Sequence, residues 1–211
     1  MNVTQEPHVS FDLTHYRPML VVISGPSGVG KDAVVRSLQR RGLPLHFVVT
    51  MTDRAPREGE VNGVDYFFVS TQVFEQLIAE NGLIEYARVY SDYKGIPRSQ
   101  IRDALASGKD VILRVDVQGA ATVRRLCPDA LLIFLLPENE EEWLRRLLTR
   151  RTETPETLAV RVQTVQEELK HLEYFDYAVV NAHDRLEQTV DMIVSILQAE
   201  HLRIHPREIS L

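Results

Sequence analysis

The chain has 211 residues, is 44% hydrophobic and 26% charged, and carries a formal net charge of −6. Such a composition is that of a soluble globular protein long enough for one domain with a full core, and its acidity excludes a general attraction to nucleic acid or to an anionic membrane. The single cysteine, Cys127, excludes an internal disulfide and a cysteine-rich zinc site. No apolar run reaches transmembrane length and the N-terminus lacks a signal-peptide core, so the cytoplasm is the expected compartment.

Residues 1–18 are polar with scattered apolar side chains and read as an extension. The apolar run Met19-Leu20-Val21-Val22-Ile23 then leads into Gly25-Pro26-Ser27-Gly28-Val29-Gly30-Lys31, and Ala33, Val34, Val35 and Leu38 follow in a helical pattern. Strand, glycine loop and helix in this order, with G-x-x-x-x-G-K at the hinge, bind phosphate. Glycines let successive N–H groups curl around an anion, the helix start adds its positive dipole end, and Lys31 reaches the outer phosphates of a nucleoside triphosphate. The motif ordinarily ends in Ser or Thr, whose hydroxyl binds Mg²⁺; here that position is Asp32.

The first helix is expected to stop at Gly42, before Pro44. His46–Thr50 reads as a short strand, and TDRAPREGEVNGVD at 52–65 as a loop or hairpin. Further strands are expected at Tyr66–Val69, Leu83–Tyr90, Asp110–Val115, Ala130–Leu136 and Tyr177–Asn181. Helices are expected around Phe74–Ile78 and over Pro97–Ala106, Gln118–Leu126 and Asp184–Glu200. Another starts at Asn139, whose side chain caps it while Glu140, Glu141 and Glu142 suit its positive end; that acidic run reads as capping rather than as a metal site. Thr154-Pro155 opens a further long helix. Strands alternating with helices over 19–50 and 110–200 predict a parallel sheet covered on both faces, and the strand-rich stretch of about 50–97 predicts a separate lobe.

That lobe opens with Thr50, Arg54, Arg57, Glu60 and Tyr66 and closes with Glu85 and Lys94. Two arginines in a proline-stiffened loop suit a second phosphate, because each guanidinium makes paired, charge-assisted bonds to it. A carboxylate such as Glu85 suits a base with paired N–H donors, which is guanine.

The stretches ISGPSGVGKD, TDRAPREGEVNGVDYFFVS, GLIEYARVYSDYKG, GKDVILRVDVQGA and FDYAVVN occur in this order, and from about Leu20 to Arg203 the chain resembles the guanylate kinase family. The resemblance implies an α/β fold: a P-loop NTPase three-layer core (19–49 and 98–211), an inserted lobe for the nucleoside monophosphate (50–97) and a short lid at about 145–156. It implies ATP-dependent phosphorylation of GMP to GDP, with Mg²⁺ accompanying ATP. Gly25, Pro26, Ser27, Gly28, Val29, Gly30, Lys31, Asp32 and Asn181 would serve ATP, with Asp32 the candidate metal ligand. Thr50, Arg54, Arg57, Tyr66, Lys94 and Asp116 would serve GMP, with Glu85 and Glu60 on the guanine edge. Lys31, Arg146, Arg150 and Arg161 would act on the transferring phosphoryl group. The partners expected are ATP and GMP, with no nucleic acid and no membrane, for a monomer or homodimer.

The chain departs from the family pattern at Asp32, Asp53, Lys94, Ile96, Arg114 and Arg151. Two of these departures face each other in the family fold: Asp32 stands for a hydroxyl residue and Arg114 for an aspartate. Because an unpaired buried charge is costly, the two are expected to form an ion pair in the empty site, with Asp32 turning to the metal and Arg114 to phosphate when nucleotide binds. Two alternatives remain at this point: a kinase of another small phosphate such as a ribosyl bisphosphate, and a catalytically impaired guanylate kinase-like binding domain.

Overall fold

The computed structural model describes residues 16–89, 91–148 and 155–211. The expected extension therefore lies almost wholly outside the described residues, as do Arg150, Arg151 and the rest of 149–154 in the middle of the expected lid.

Five strands form a parallel sheet: β1 (Leu20–Ser24), β2 (Leu45–Phe47), β7 (Asp110–Arg114), β8 (Leu131–Leu136) and β9 (Tyr177–Val180), in the order β2-β7-β1-β8-β9. Their side chains alternate between two cores, as the pleat requires. Met19, Val21, Ile23, Ile112, Leu131, Ile133 and Leu135 enter one, where α1 (Lys31–Arg40) adds Val34 and Leu38 and α7 (Leu186–His201) adds Val190, Ile193 and Leu197. Leu20, Val22, Val111, Leu113 and Leu132 enter the other, covered by Ile101 and Ala104 of α3 (Arg98–Ala106) and by Ala120 and Val123 of α4 (Val117–Leu126).

A second sheet is built from residues between 51 and 97, in the order β4-β3-β6-β5: β3 (Met51–Thr52), β4 (Phe67–Phe68), β5 (Leu83–Val89) and β6 (Asp92–Pro97), with α2 (Thr71–Ala79) between β4 and β5. β5 and β6 send Ile84 and Ile96 into the second core, so this sheet is rooted in the main body by packing and not only by its chain connections. The sequence pattern does not announce β6, because Gly95 and Pro97 interrupt it. Gly95 is there for space: a Cβ at this position would lie 2.9 Å from Phe74 Cζ.

The remaining helices are α5 (Glu140–Leu148) and α6 (Pro155–Leu169). Asn139 caps α5 as expected, its side-chain oxygen accepting from Glu142 N at 2.8 Å. The strand expected at His46–Thr50 is shorter, ending at Phe47; past that point Val49 pairs through its backbone with the Gln100 side chain instead of a neighbouring strand.

Candidate active site

β1 is fully buried and lies at the centre of the sheet between β7 and β8; the chain leaves it through α1 for β2 on one side, and from β7 crosses through α4 to β8 on the other. Clefts at the carboxyl ends of strands at such a switch point are where open α/β sheets bind ligands. The glycine loop from Gly25 to Gly30 occupies this place. Gly25 and Gly30 hold φ of 140° and 98°, and a Cβ on either would lie 2.5 Å from Leu135 O or Asn181 Nδ2. No other residue fits both the backbone and the space.

The loop is braced from outside by three side chains bonded to its carbonyls. Trp143 Nε1 donates to Ser27 O at 2.9 Å, and Asn181 Nδ2 donates to Val29 O at 2.8 Å. Arg146 donates to Val29 O at 3.3 Å and to Asn181 O at 3.0 Å while Glu142 accepts from its Nε. Two carbonyls of the loop, those of Ser27 and Val29, are thereby tied to the bracing side chains. Asn181, 5% exposed, and Arg146 are thus joined to the loop itself. Trp143 escaped the sequence reading; its one signal is being the single tryptophan, on a helix otherwise rich in charge.

Lys31 opens α1 with its ammonium folded back onto Gly25 O and Pro26 O. Burial pulls its pKa below the ordinary lysine value and neighbouring Arg114 adds to this, while Glu168, Asp32 and Asp116 oppose. Glu168, near the end of α6, also escaped the sequence reading. Its carboxyl is raised chiefly by burial, and Oε2 is buried without a hydrogen-bond partner among the described residues. Asp32 and Arg114 form the expected ion pair, Arg114 Nη1 donating to Asp32 Oδ1.

Two clefts meet at this point. One, of about 280 Å³, is lined by loop residues from Ser27 to Asp32 and by Arg36 and Arg114. The other, of about 210 Å³, is lined by Thr50, Tyr66, Glu85, Lys94, Ile96 and Asp116, together with Lys31 and Arg114. The structure therefore brings together, across a gap of some sixty residues in sequence, most of the residues expected to serve a second nucleotide. Burial raises the Glu85 carboxyl to about 7, with Asp116 adding to it. Asp116 Oδ1 caps α4 by accepting from Gly119 N at 2.8 Å. Ile96, 3% exposed, floors the cleft from within the core.

Arg54, Arg57 and Glu60 stand apart from this lining. Arg54 makes two 2.8 Å bonds to the Glu60 carboxylate and lies over the Tyr66 ring, 5.3 Å from its centroid. Glu60 also accepts from Arg57 N at 2.7 Å. These bonds hold its carboxyl far below the usual range, at about 2. Glu60 thus closes the loop on itself and is not brought to Glu85. Lys94 Nζ sits on Tyr66 too, 5.4 Å from the ring centroid. Asp53 has a structural part: it accepts from Tyr93 N at 2.6 Å and Thr71 Oγ1 at 2.9 Å, tying the loop to β6 and to the start of α2. The side chain of Arg161 lies outside the described residues, like Arg150.

Among the described residues no group of three or more His, Cys, Asp or Glu side chains is arranged to hold a metal ion. Mg²⁺ does not require one, since it takes one or two carboxylates and completes its shell with water and phosphate oxygens. Asp32, half exposed beside the loop, fits that demand once Arg114 leaves it.

A sequence model of guanylate kinase matches residues 17–200. The chain is 51% identical over 196 residues to guanylate kinase 2, chloroplastic/mitochondrial, of Oryza sativa subsp. japonica, covering 92% of this chain and 69% of the relative. It is 42% identical over 195 residues to guanylate kinase of Bacillus subtilis, covering 90% and 95%. Among solved structures, guanylate kinase from Anaplasma phagocytophilum superposes with a TM-score of 0.69 at 30% identity, covering 91% of this chain and 90% of the other.

Proposed function

The chain belongs to the guanylate kinase family, and from that premise we propose how its residues divide the reaction. The activity is ATP-dependent phosphorylation of GMP to GDP. One oxygen of the GMP phosphate bonds to the γ-phosphorus of ATP as the bond from that phosphorus to the β,γ-bridging oxygen breaks, and ADP departs with the electron pair. Such a transfer needs positioning and charge neutralisation more than covalent help. The observation that carries our assignment is the meeting of the two clefts at Lys31 and Arg114.

The loop N–H groups and Lys31 hold the ATP phosphates, and Trp143, Asn181 and Arg146 keep the loop in shape. Thr50, Tyr66 and Lys94 surround the GMP phosphate, with Arg54 and Arg57 swinging to it from the adjoining loop. Glu85, ionised, accepts guanine N–H groups beside Asp116. Arg150 and Arg161 complete the charge around the transferred group. Asp32 is the residue that would hold Mg²⁺ beside the ATP phosphates, where the ion would supply further positive charge. No helix among the described residues is long and apolar enough to cross a membrane. The substrates are soluble nucleotides, and we place the protein's action in the cytoplasm.

The test is ADP release measured with GMP, AMP, CMP and UMP as acceptors, on wild type and on Glu85→Gln. GMP should lead AMP by up to about 10⁴-fold in kcat/KM, because a buried carboxylate rejects a base that leaves it unpaired. Glu85→Gln should remove most of that lead. Equal rates on GMP and AMP in the wild type would overturn the role given to Glu85.

A further inference from the structure

We propose that Arg114 is a further catalytic residue, a cation carried on the sheet itself that bridges the donor and acceptor phosphates. The proposal rests on the two-cleft reading above and adds a contact to it. Arg114 ends β7, with its backbone in register with Ile23 at the end of β1, just before the glycine loop. It lines both clefts, and among the described residues the only other one to do so is Lys31. A group that faces both pockets faces the place where the γ-phosphoryl group changes hands.

The chemistry of the side chain suits that place. A guanidinium offers a planar fork of N–H donors that can span oxygens of two neighbouring phosphates, whereas an ammonium acts as a point charge. Arg114 exchanges no proton and makes no bond; it neutralises negative charge on the oxygens as they crowd together.

The partner that holds it in the empty protein is one it can give up. Asp32 binds it through one Nη1–Oδ1 contact, and the two side chains remain 43% and 54% exposed. Exposed ion pairs of this sort contribute little to stability, so phosphate can replace the carboxylate at small cost. Lys31 is held in the same manner, on Gly25 O and Pro26 O. Both cations that face the junction thus rest on oxygens of the glycine loop or of the helix turn it opens. Phosphate draws them off together, and Asp32 is released as the arginine moves.

The test compares three ligands by calorimetry in EDTA: GMP, ATP, and a two-headed analogue in which adenosine and guanosine are joined by five phosphates. Wild type, Arg114→Met, Arg114→Lys and Asp32→Asn are measured in parallel, with kcat and KM for the arginine variants in Mg²⁺. Arg114→Met should weaken the two-headed analogue by about 10- to 100-fold, the scale of lost charge-assisted bonds, and GMP alone by less than about threefold. Its kcat should fall by at least about 30-fold with both KM values near wild type, and Arg114→Lys should recover only part of either loss. Asp32→Asn, which releases the guanidinium, should bind the analogue several-fold more tightly. The inference is overturned if Arg114→Met keeps analogue affinity and kcat within about threefold, or if it weakens GMP as much as the analogue. The first outcome would make the arginine a counter-ion for Asp32 alone, and the second an acceptor-site residue. If wild type itself neither binds the analogue nor phosphorylates GMP, the two-cleft reading fails, and it does so without reference to Arg114.

Discussion

Glu85 is a carboxylate on β5 whose burial, with Asp116 beside it, raises its pKa to about 7. In the unfolded chain the same group titrates near the ordinary glutamate value, so the folded, ligand-free protein binds more protons between the two. Its contribution to stability is therefore fullest below about pH 4.5 and is lost as pH rises through about 7. Guanine reverses the preference, because its N–H groups need the ionised form. GMP affinity should rise about tenfold between pH 6 and pH 8, with protons released to buffer on binding at the lower pH. Calorimetry in two buffers of different ionisation enthalpy measures both. Glu85→Gln should abolish the proton release, leaving only the titration of the GMP phosphate. Without ligand at pH 8 it should stabilise the fold by about 1 kcal/mol, allowing for solvent at the partly exposed carboxyl. A pH-independent affinity in the wild type would mean that Glu85 does not touch the base. Ile96 next to it, one of the departures from the family pattern, is a core side chain with one face on the cleft, packed with Ile84, Ile101 and Leu113.

At the scale of elements, α5 is the brace of the phosphate loop. Its acidic first turn and Asn139 cap start it, and one turn further on Trp143 and Arg146 reach the loop carbonyls. Asn181, just beyond β9, holds the same loop from the other side. The two attachments should behave differently on truncation. Trp143→Phe removes one hydrogen bond but keeps most of the packing, and should cost about 1 kcal/mol and raise the KM for ATP without changing that for GMP. Asn181→Ala leaves Val29 O with only the longer 3.3 Å bond from Arg146 and should cost about 1–3 kcal/mol with a larger loss in ATP binding. Thermal melts with and without ATP separate the two effects. An unchanged KM for ATP in both variants would show that the loop keeps its shape unaided. The 51–97 sheet has its own internal fastening: Asp53 ties the loop after β3 to β6, and Arg54 with Glu60 closes the turn that follows.

At the scale of the molecule, the two sheets share one core through Ile84 and Ile96. The protein should therefore unfold in a single calorimetric transition. GMP at about a hundred times its Kd should stabilise the fold by about 2.7 kcal/mol, a rise in Tm on the order of 5–10 °C for a chain of this length. Two separate transitions, only one of them moved by GMP, would show that the second sheet folds independently. The sequence by itself determined the glycine loop and the parallel core with its alternating strands and helices, and its resemblance to the family pointed to the pairing of Asp32 with Arg114. The first two are carried by local patterns, positions that only glycine fits and apolar runs against a 3.6 period, and the third by two charges that depart from the family pattern in a complementary way. It also supplied the residues around Glu85, because their types suit a nucleotide monophosphate. What only the tertiary structure decided concerns contacts between distant segments, which no local pattern encodes. Strand β6 is hidden by a glycine that makes room for Phe74, and Glu60 bonds to Arg54 within its own loop. Trp143, Asn181 and Arg146 converge on the carbonyls of one loop from two different elements. Arg114 lines two clefts at once because β7 lies beside β1 in the sheet, although residues 25–109 separate the two strands in the chain.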